Sequence, residues 1–179
     1  MPSTPKRSQL RPPDPPPDAL RNFMMANWKP TRRKVVTIKA SKHHAARRKA
    51  LSERFPKRAL LIPTGHERTR SNDTTYRFRP GSDFFWLTGN MEPDCVLLLL
   101  PTQRGHRSVL FVEPNPGKTS DTFFTDRRKG ELWVGPRLGV EQSRIRFGVD
   151  EIDNYSIPVY FMCTGTKQLI LPLMLVHYH

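Results

Sequence analysis

The 179-residue sequence is short of three things, and each shortage excludes a class of protein. It has only two cysteines, Cys95 and Cys163. Two thiols so far apart provide neither a disulfide framework nor metal-ligand spacing. Cys95 opens the apolar run "CVLLLL", where a buried reduced thiol is expected. No uninterrupted apolar run reaches the ~18 residues that a spanning helix needs. Pro12 to Pro17 stand where a secretory signal would require an apolar centre. These features predict a cytoplasmic chain with no membrane partner. The short catalytic motifs are also missing: no G-x-S-x-G, no phosphate loop, no G-x-G-x-x-G. "GHERTR" begins like a zinc-protease helix, but Arg70 stands where the second histidine is required. Asp73, Asp83, Glu92 and Asp94 are spaced compatibly with carboxylate chemistry, although turn caps and surface acids account for most such residues.

Positive charge and proline are plentiful instead. The formal net charge is +14, which invites a nucleic-acid reading until its distribution is considered. Residues 1–50 carry 13 Lys and Arg against Asp14 and Asp18, whereas residues 51–155 carry 16 basic and 14 acidic groups. The body is therefore nearly neutral, which argues against a nucleic-acid platform. "RPPDPPPD" can form neither a helix nor a central strand, because each proline fixes φ and removes a donor. Residues 1–40 are accordingly predicted to be a disordered, proline-rich basic leader.

Pattern begins at Ser41. "SKHHAARRKALSERF" sets Ala45, Ala46, Ala50, Leu51 and Phe55 on one helical strip, with Ser41 as N-cap and Pro56 as terminator. His43 and His44 point about 100° apart on such a helix and are expected to be solvated. "RALLIPTG" reads as a buried strand, and "CVLLLLP" with "SVLFVE" as a β-hairpin across a glycine-containing turn. "NPGKTSD" reads as a loop, "ELWVG" as a short strand, and "VEQSRIRFG" as a helical turn closed by Gly148. "VDEIDNYS" reads as the start of another strand and helix. The fold class is α/β: a small mixed-sheet domain flanked by helices, over residues 41–155. Residues 156–179 are expected to be a divergent apolar tail, or a truncated or out-of-frame end, and their near absence of charge is the profile of an aggregation-prone segment.

The stretch "TRSNDTTYRFRPGSDFFWLTG", followed by "NMEPDCVLLL" and later by "ELWVGPRLG", resembles the amino-terminal domain of Xaa-Pro aminopeptidase (aminopeptidase P), in the creatinase–prolidase–aminopeptidase P group. The matching blocks include Thr69, Arg70, Ser71, Asp73, Tyr76, Arg79, Ser82, Asp83, Phe84, Thr88, Gly89, Glu92, Pro93, Trp133, Gly135, Arg137 and Gly139. They cover about residues 43–153. The resemblance implies a following metal-binding domain, usually holding Mn²⁺ through two Asp, one His and two Glu. None of that domain's motifs is in this sequence, so the 179 residues are expected to be inactive alone. It also implies that Asp73 and Trp133 contact substrate in a neighbouring subunit, the carboxylate suiting a free α-amino group and the indole a proline ring. The implied partners are a second copy or a full-length relative, and proline-containing peptides. The clustered Tyr76, Phe78, Phe84, Phe85 and Trp86 are expected to serve mostly core and subunit interface, with a small contribution to a partner's substrate pocket. Two other readings stand beside this one: a non-catalytic oligomerisation or binding module, and a basic nucleic-acid-binding protein using residues 29–58.

Overall fold

A computed structural model describes residues 17–29, 34–71, 74–115 and 117–154. The expected tail at 156–179 lies outside them. The chain divides into two units. The larger is built from the described residues of 34–115 and 137–154, the smaller from those of 17–29 and 117–136.

The larger unit is organised by a four-stranded sheet of order β1-β4-β5-β6. Strands β4 (Val96–Thr102) and β5 (Gly105–Val112) form the expected hairpin, with Val96 opposite Phe111 and Thr102 opposite Gly105. Strand β1 (Leu60–Pro63) pairs antiparallel with β4, and β6 (Glu151–Asn154) pairs parallel with β5. Because strand side chains alternate, β4 sends Leu97 and Leu99 to one face and Val96, Leu98 and Leu100 to the other. The first face carries the main core, where Leu60, Ile62, Leu110 and Val112 meet Phe84, Leu87 and Phe147 from the helices. A two-stranded ribbon, β2 (Thr69–Ser71) with β3 (Thr74–Thr75), lies apart from that sheet.

Helices α2 (Ser41–Arg54), α3 (Ser82–Thr88) and α6 (Val140–Phe147) flank the sheet. Helix α2 does not turn its alanines inward. Ala45, Ala46 and Ala50 are exposed, while His44 and Arg48 are buried with Leu51 and Phe55 partly covered on the same side. The reason lies at the ends of the neighbouring helices, whose last carbonyls have no partner within the helix. The His44 Nδ1–H donates to the Trp86 carbonyl at 2.8 Å, and the Arg48 guanidinium donates to the carbonyls of Leu87 at 2.8 Å and Gly148 at 2.9 Å. Three orphan carbonyls thus select a polar face. His44 is not the solvated residue expected from sequence, and Ser41 is the first helical residue with no side-chain cap.

Gly89 shows the same closeness from the other side. It ends α3 in the left-handed region at φ +69°, and a Cβ there would lie 2.6 Å from His44 Nε2. Residues 37 and 38 also join this unit: the Thr37 hydroxyl donates to the Ile145 carbonyl at 2.8 Å, and the Ile38 amide to that of Arg146 at 3.0 Å.

The smaller unit departs from expectation twice. Asp18–Asn27 forms helix α1 inside the segment predicted to be disordered, because Leu20, Arg21, Phe23, Met24 and Asn27 recur at helical spacing after the last proline. "ELWV" is a one-turn helix, α5 (Glu131–Val134), where a strand was expected. A 3₁₀ turn (Gly117–Thr119) and α4 (Thr122–Thr125) precede it. Gly130 permits this tight sequence of turns, since a Cβ on it would meet three backbone carbonyl oxygens at 2.6–2.7 Å.

Candidate functional site

In the larger unit, the stretch from Ser82 to Cys95 is stitched together by its own side chains. Phe84 has 0% exposure and anchors α3 in the core. The Thr88 hydroxyl donates to the Phe84 carbonyl at 2.7 Å and accepts the Asn90 amide at 3.0 Å. The Asn90 side-chain oxygen accepts the Glu92 amide at 2.8 Å, and its NH₂ reaches the Cys95 sulfur at 3.5 Å. Burial pushes the Cys95 thiol up to about 12, which makes it a core atom and not a nucleophile. Burial also raises the Glu92 carboxyl, against the pull of Arg137 and Arg146. Asp94 sits at φ 57° and pairs with His66, closing the turn against the loop after β1. The matched Thr88, Glu92 and Pro93 therefore belong to a rigid turn.

The aromatic cluster divides. Phe84 is core, but Tyr76, Phe85 and Trp86 are exposed. Trp86 is 57% exposed, with the Arg47 guanidinium 3.5 Å from its ring centroid. Consecutive residues on a helix cannot share one face, and Phe84 takes the inward one.

In the smaller unit, α5 presents Trp133. Its indole N–H donates to the Phe124 carbonyl at 2.8 Å, and the Arg127 guanidinium lies 5.3 Å from the ring centroid. The ring is held at one end yet 51% exposed. Asp73, the second expected substrate contact, lies outside the described residues. Sequence reasoning passed over Arg48, and assigned His44 to solvent. Their spacing at i and i+4, on the side that also carries Leu51 and Phe55, was the available signal.

Among the described residues, no group of three or more His, Cys, Asp or Glu could hold a metal ion, and no helix is long and apolar enough to cross a membrane. His66 pairs with Asp94.

A mixed sheet flanked by helices, with a stitched T-G-N-x-E-P turn, makes this a small α/β domain. Residues 44–157 match the family model "Aminopeptidase P, N-terminal domain", and the chain belongs to that family. It is 37% identical over 137 residues to Xaa-Pro aminopeptidase 1 of Streptomyces coelicolor, covering 76% of this chain and 28% of that protein. It is 39% identical over 106 residues to Xaa-Pro aminopeptidase of Escherichia coli, covering 58% and 22%. The low-pH structure of aminopeptidase P from E. coli superimposes with a TM-score of 0.58 at 31% identity, over 72% of this chain and 28% of that one. The chain thus spans 22–28% of the length of these curated relatives.

Proposed function

We propose that this domain supplies part of the substrate pocket of a manganese-dependent Xaa-Pro aminopeptidase, and does not itself carry the catalyst. The reaction is release of an amino-terminal residue linked to proline, with the metal held by a separate domain. Trp133 offers its exposed face to the proline ring, and Asp73 offers its carboxylate to the free α-amino group. The observation that carries this reading is the pinned but half-exposed indole: fixed at its N–H and open on its face, it suits apolar contact with a small ring. The site is completed in a cytoplasmic assembly with a second copy or a full-length relative.

With Mn²⁺ added, the purified 179 residues should release nothing from an Xaa-Pro dipeptide. The same residues joined ahead of a relative's metal-binding domain should turn it over, and Trp133→Ala should raise KM by about 2- to 13-fold, the worth of one aromatic contact. Turnover by the 179 residues that vanishes when their histidines are replaced would overturn the assignment. A second reading, an oligomerisation module, is favoured by the exposed Tyr76, Phe85, Trp86 and Met91. Light scattering tests it, since Trp86→Ala should then lower the assembled mass.

A further inference from the structure

Helices α4 and α5 are four residues each. One turn closes too few hydrogen bonds to offset the ordering of its backbone, so neither holds its shape without packing. The packing comes from Phe123 and Phe124, which are 1% and 6% exposed. Their rings meet edge to face at 4.8 Å. Phe123 in turn meets Trp28, just beyond α1, edge to face at 5.2 Å and an interplanar angle of 81°. The Phe124 carbonyl holds the Trp133 indole. Three successive contacts therefore run from Trp28 through Phe123 and Phe124 to Trp133.

Helix α1 buries none of its own residues. It is tied down by polar contacts at both ends. Arg21 bridges Asp18 at 2.7 Å and Asp121 at 2.9 Å, and the Lys118 ammonium donates to the Met25 carbonyl at 3.0 Å. The lysine satisfies a carbonyl in the last turn of α1, where a cation is favoured. These ties hold the Trp28 ring against Phe123, the most buried side chain of the unit among the described residues. Trp28 precedes the residues 44–157 that the family model matches.

We propose that helix α1 braces Trp133, with Trp28 as a positioning residue that fixes the indole by way of Phe123 and Phe124. The proposal rests on the reading of Trp133 as pocket wall for its functional meaning, but not for its test. The three tryptophans, Trp28, Trp86 and Trp133, give three indole N–H signals in a ¹⁵N spectrum of the full chain, assignable by replacement with phenylalanine. In Trp28→Ala, the Trp133 indole proton should exchange with solvent about tenfold faster or more, as local opening becomes easier. The Trp86 signal, from the larger unit, should stay in place. Trp28→Phe keeps an edge-to-face ring and should restore the slow exchange, which a general loss of structure would not allow. Arg21→Ala should accelerate exchange in the same direction by less.

An unchanged Trp133 exchange rate in Trp28→Ala, or a phenylalanine as disruptive as alanine, overturns the proposal. Should Trp28→Ala unfold the whole chain, with the Trp86 signal lost as well, the surface variant Arg21→Ala decides: acceleration supports the brace and no change overturns it. No peptide is present in this experiment. A braced Trp133 whose replacement leaves Xaa-Pro turnover unaltered would sink the pocket reading and leave the brace standing.

Discussion

The two units hold themselves together by different means. The larger one buries an apolar face of its sheet, where Leu97, Leu99, Leu110 and Phe84 belong to one core cluster. The smaller one depends on a short relay of rings and a few polar ties, with turns too short to persist alone. A shared face spreads the loss of any one contact and resists opening as a whole. A relay fails at each link, so it opens locally and at lower cost. The proposed pocket residue Trp133 sits on the relay, which suits a side chain that must meet a ligand.

Replacing Phe84 by alanine should give the largest effect. It empties a site with 0% exposure and should cost about 3–5 kcal/mol. Urea unfolding followed by circular dichroism checks this, and a loss below about 1 kcal/mol would mean that the core recloses over the gap.

Gly130→Ala is the matching blow to the smaller unit. Its Cβ would stand 2.6 Å from the Asp126 and Thr122 carbonyl oxygens, so the backbone must move, at about 1–3 kcal/mol. The expected outcome is a red-shifted Trp133 emission with the sheet's unfolding midpoint unchanged. A fall in that midpoint would show that the two units unfold together.

Acid should probe one edge of the sheet. Burial opposes the charge on Asp150, but the Ser108 hydroxyl and amide, both donating to its Oδ2, outweigh that opposition with help from Arg48 and Arg107. Its carboxyl is held below 3.8, so the folded state prefers it ionised. That contribution is present above 3.8 and is lost as pH falls through the lower folded value. Ser108→Ala should therefore move the acid-unfolding midpoint to higher pH, and an unmoved midpoint would remove Asp150 from the account.

At neutral pH the smallest effect concerns Cys95, whose thiol is protonated in both folded and unfolded chain. With its thiol raised from 9.0 to about 12, it should resist alkylation at pH 8 until the chain is unfolded. The folded state keeps the proton that the unfolded chain releases, so stability should decline as pH rises from 9.0 towards 12. Rapid labelling of Cys95 in the native chain would show that the region near Asn90 opens freely.

Sequence carried the central hairpin because strand chemistry is local: "CVLLLLP" and "SVLFVE" are apolar runs of similar length, joined by a short turn at Gln103 and Arg104. It carried the family through separated motif blocks in the right order. It misread α2, because a helical strip drawn from apolarity alone cannot know that Leu87 and Gly148 have carbonyls awaiting a guanidinium. It misread "ELWVG" for a related reason. Trp and Val favour strands, yet Gly130 and the nearby Phe123 and Phe124 fold this stretch into a turn. The leader was misread over Asp18–Asn27, because the prolines that forbid a helix end at Pro17 and the decapeptide after them carries none. Of the candidate site, the identity of Trp133 was legible, whereas its anchor on the Phe124 carbonyl depends on a chain path that no spacing encodes.

The parallel pairing of β6 with β5 has a further consequence. A parallel partner cannot follow by a tight turn, so the chain must leave β5 at Val112 and travel through residues 113–150 before returning. Once a connection is that long, lengthening it is cheap: even a doubling adds only ~0.6 kcal/mol of closure entropy. The hairpin needs only neighbours in sequence and can form early, while β6 docks only after a distant closure. The crossover is thus the part of the chain where residues can be inserted, exchanged or tuned with least damage to the sheet. Trp133 lies within it, so the proposed contact surface can diverge while the scaffold stays the same.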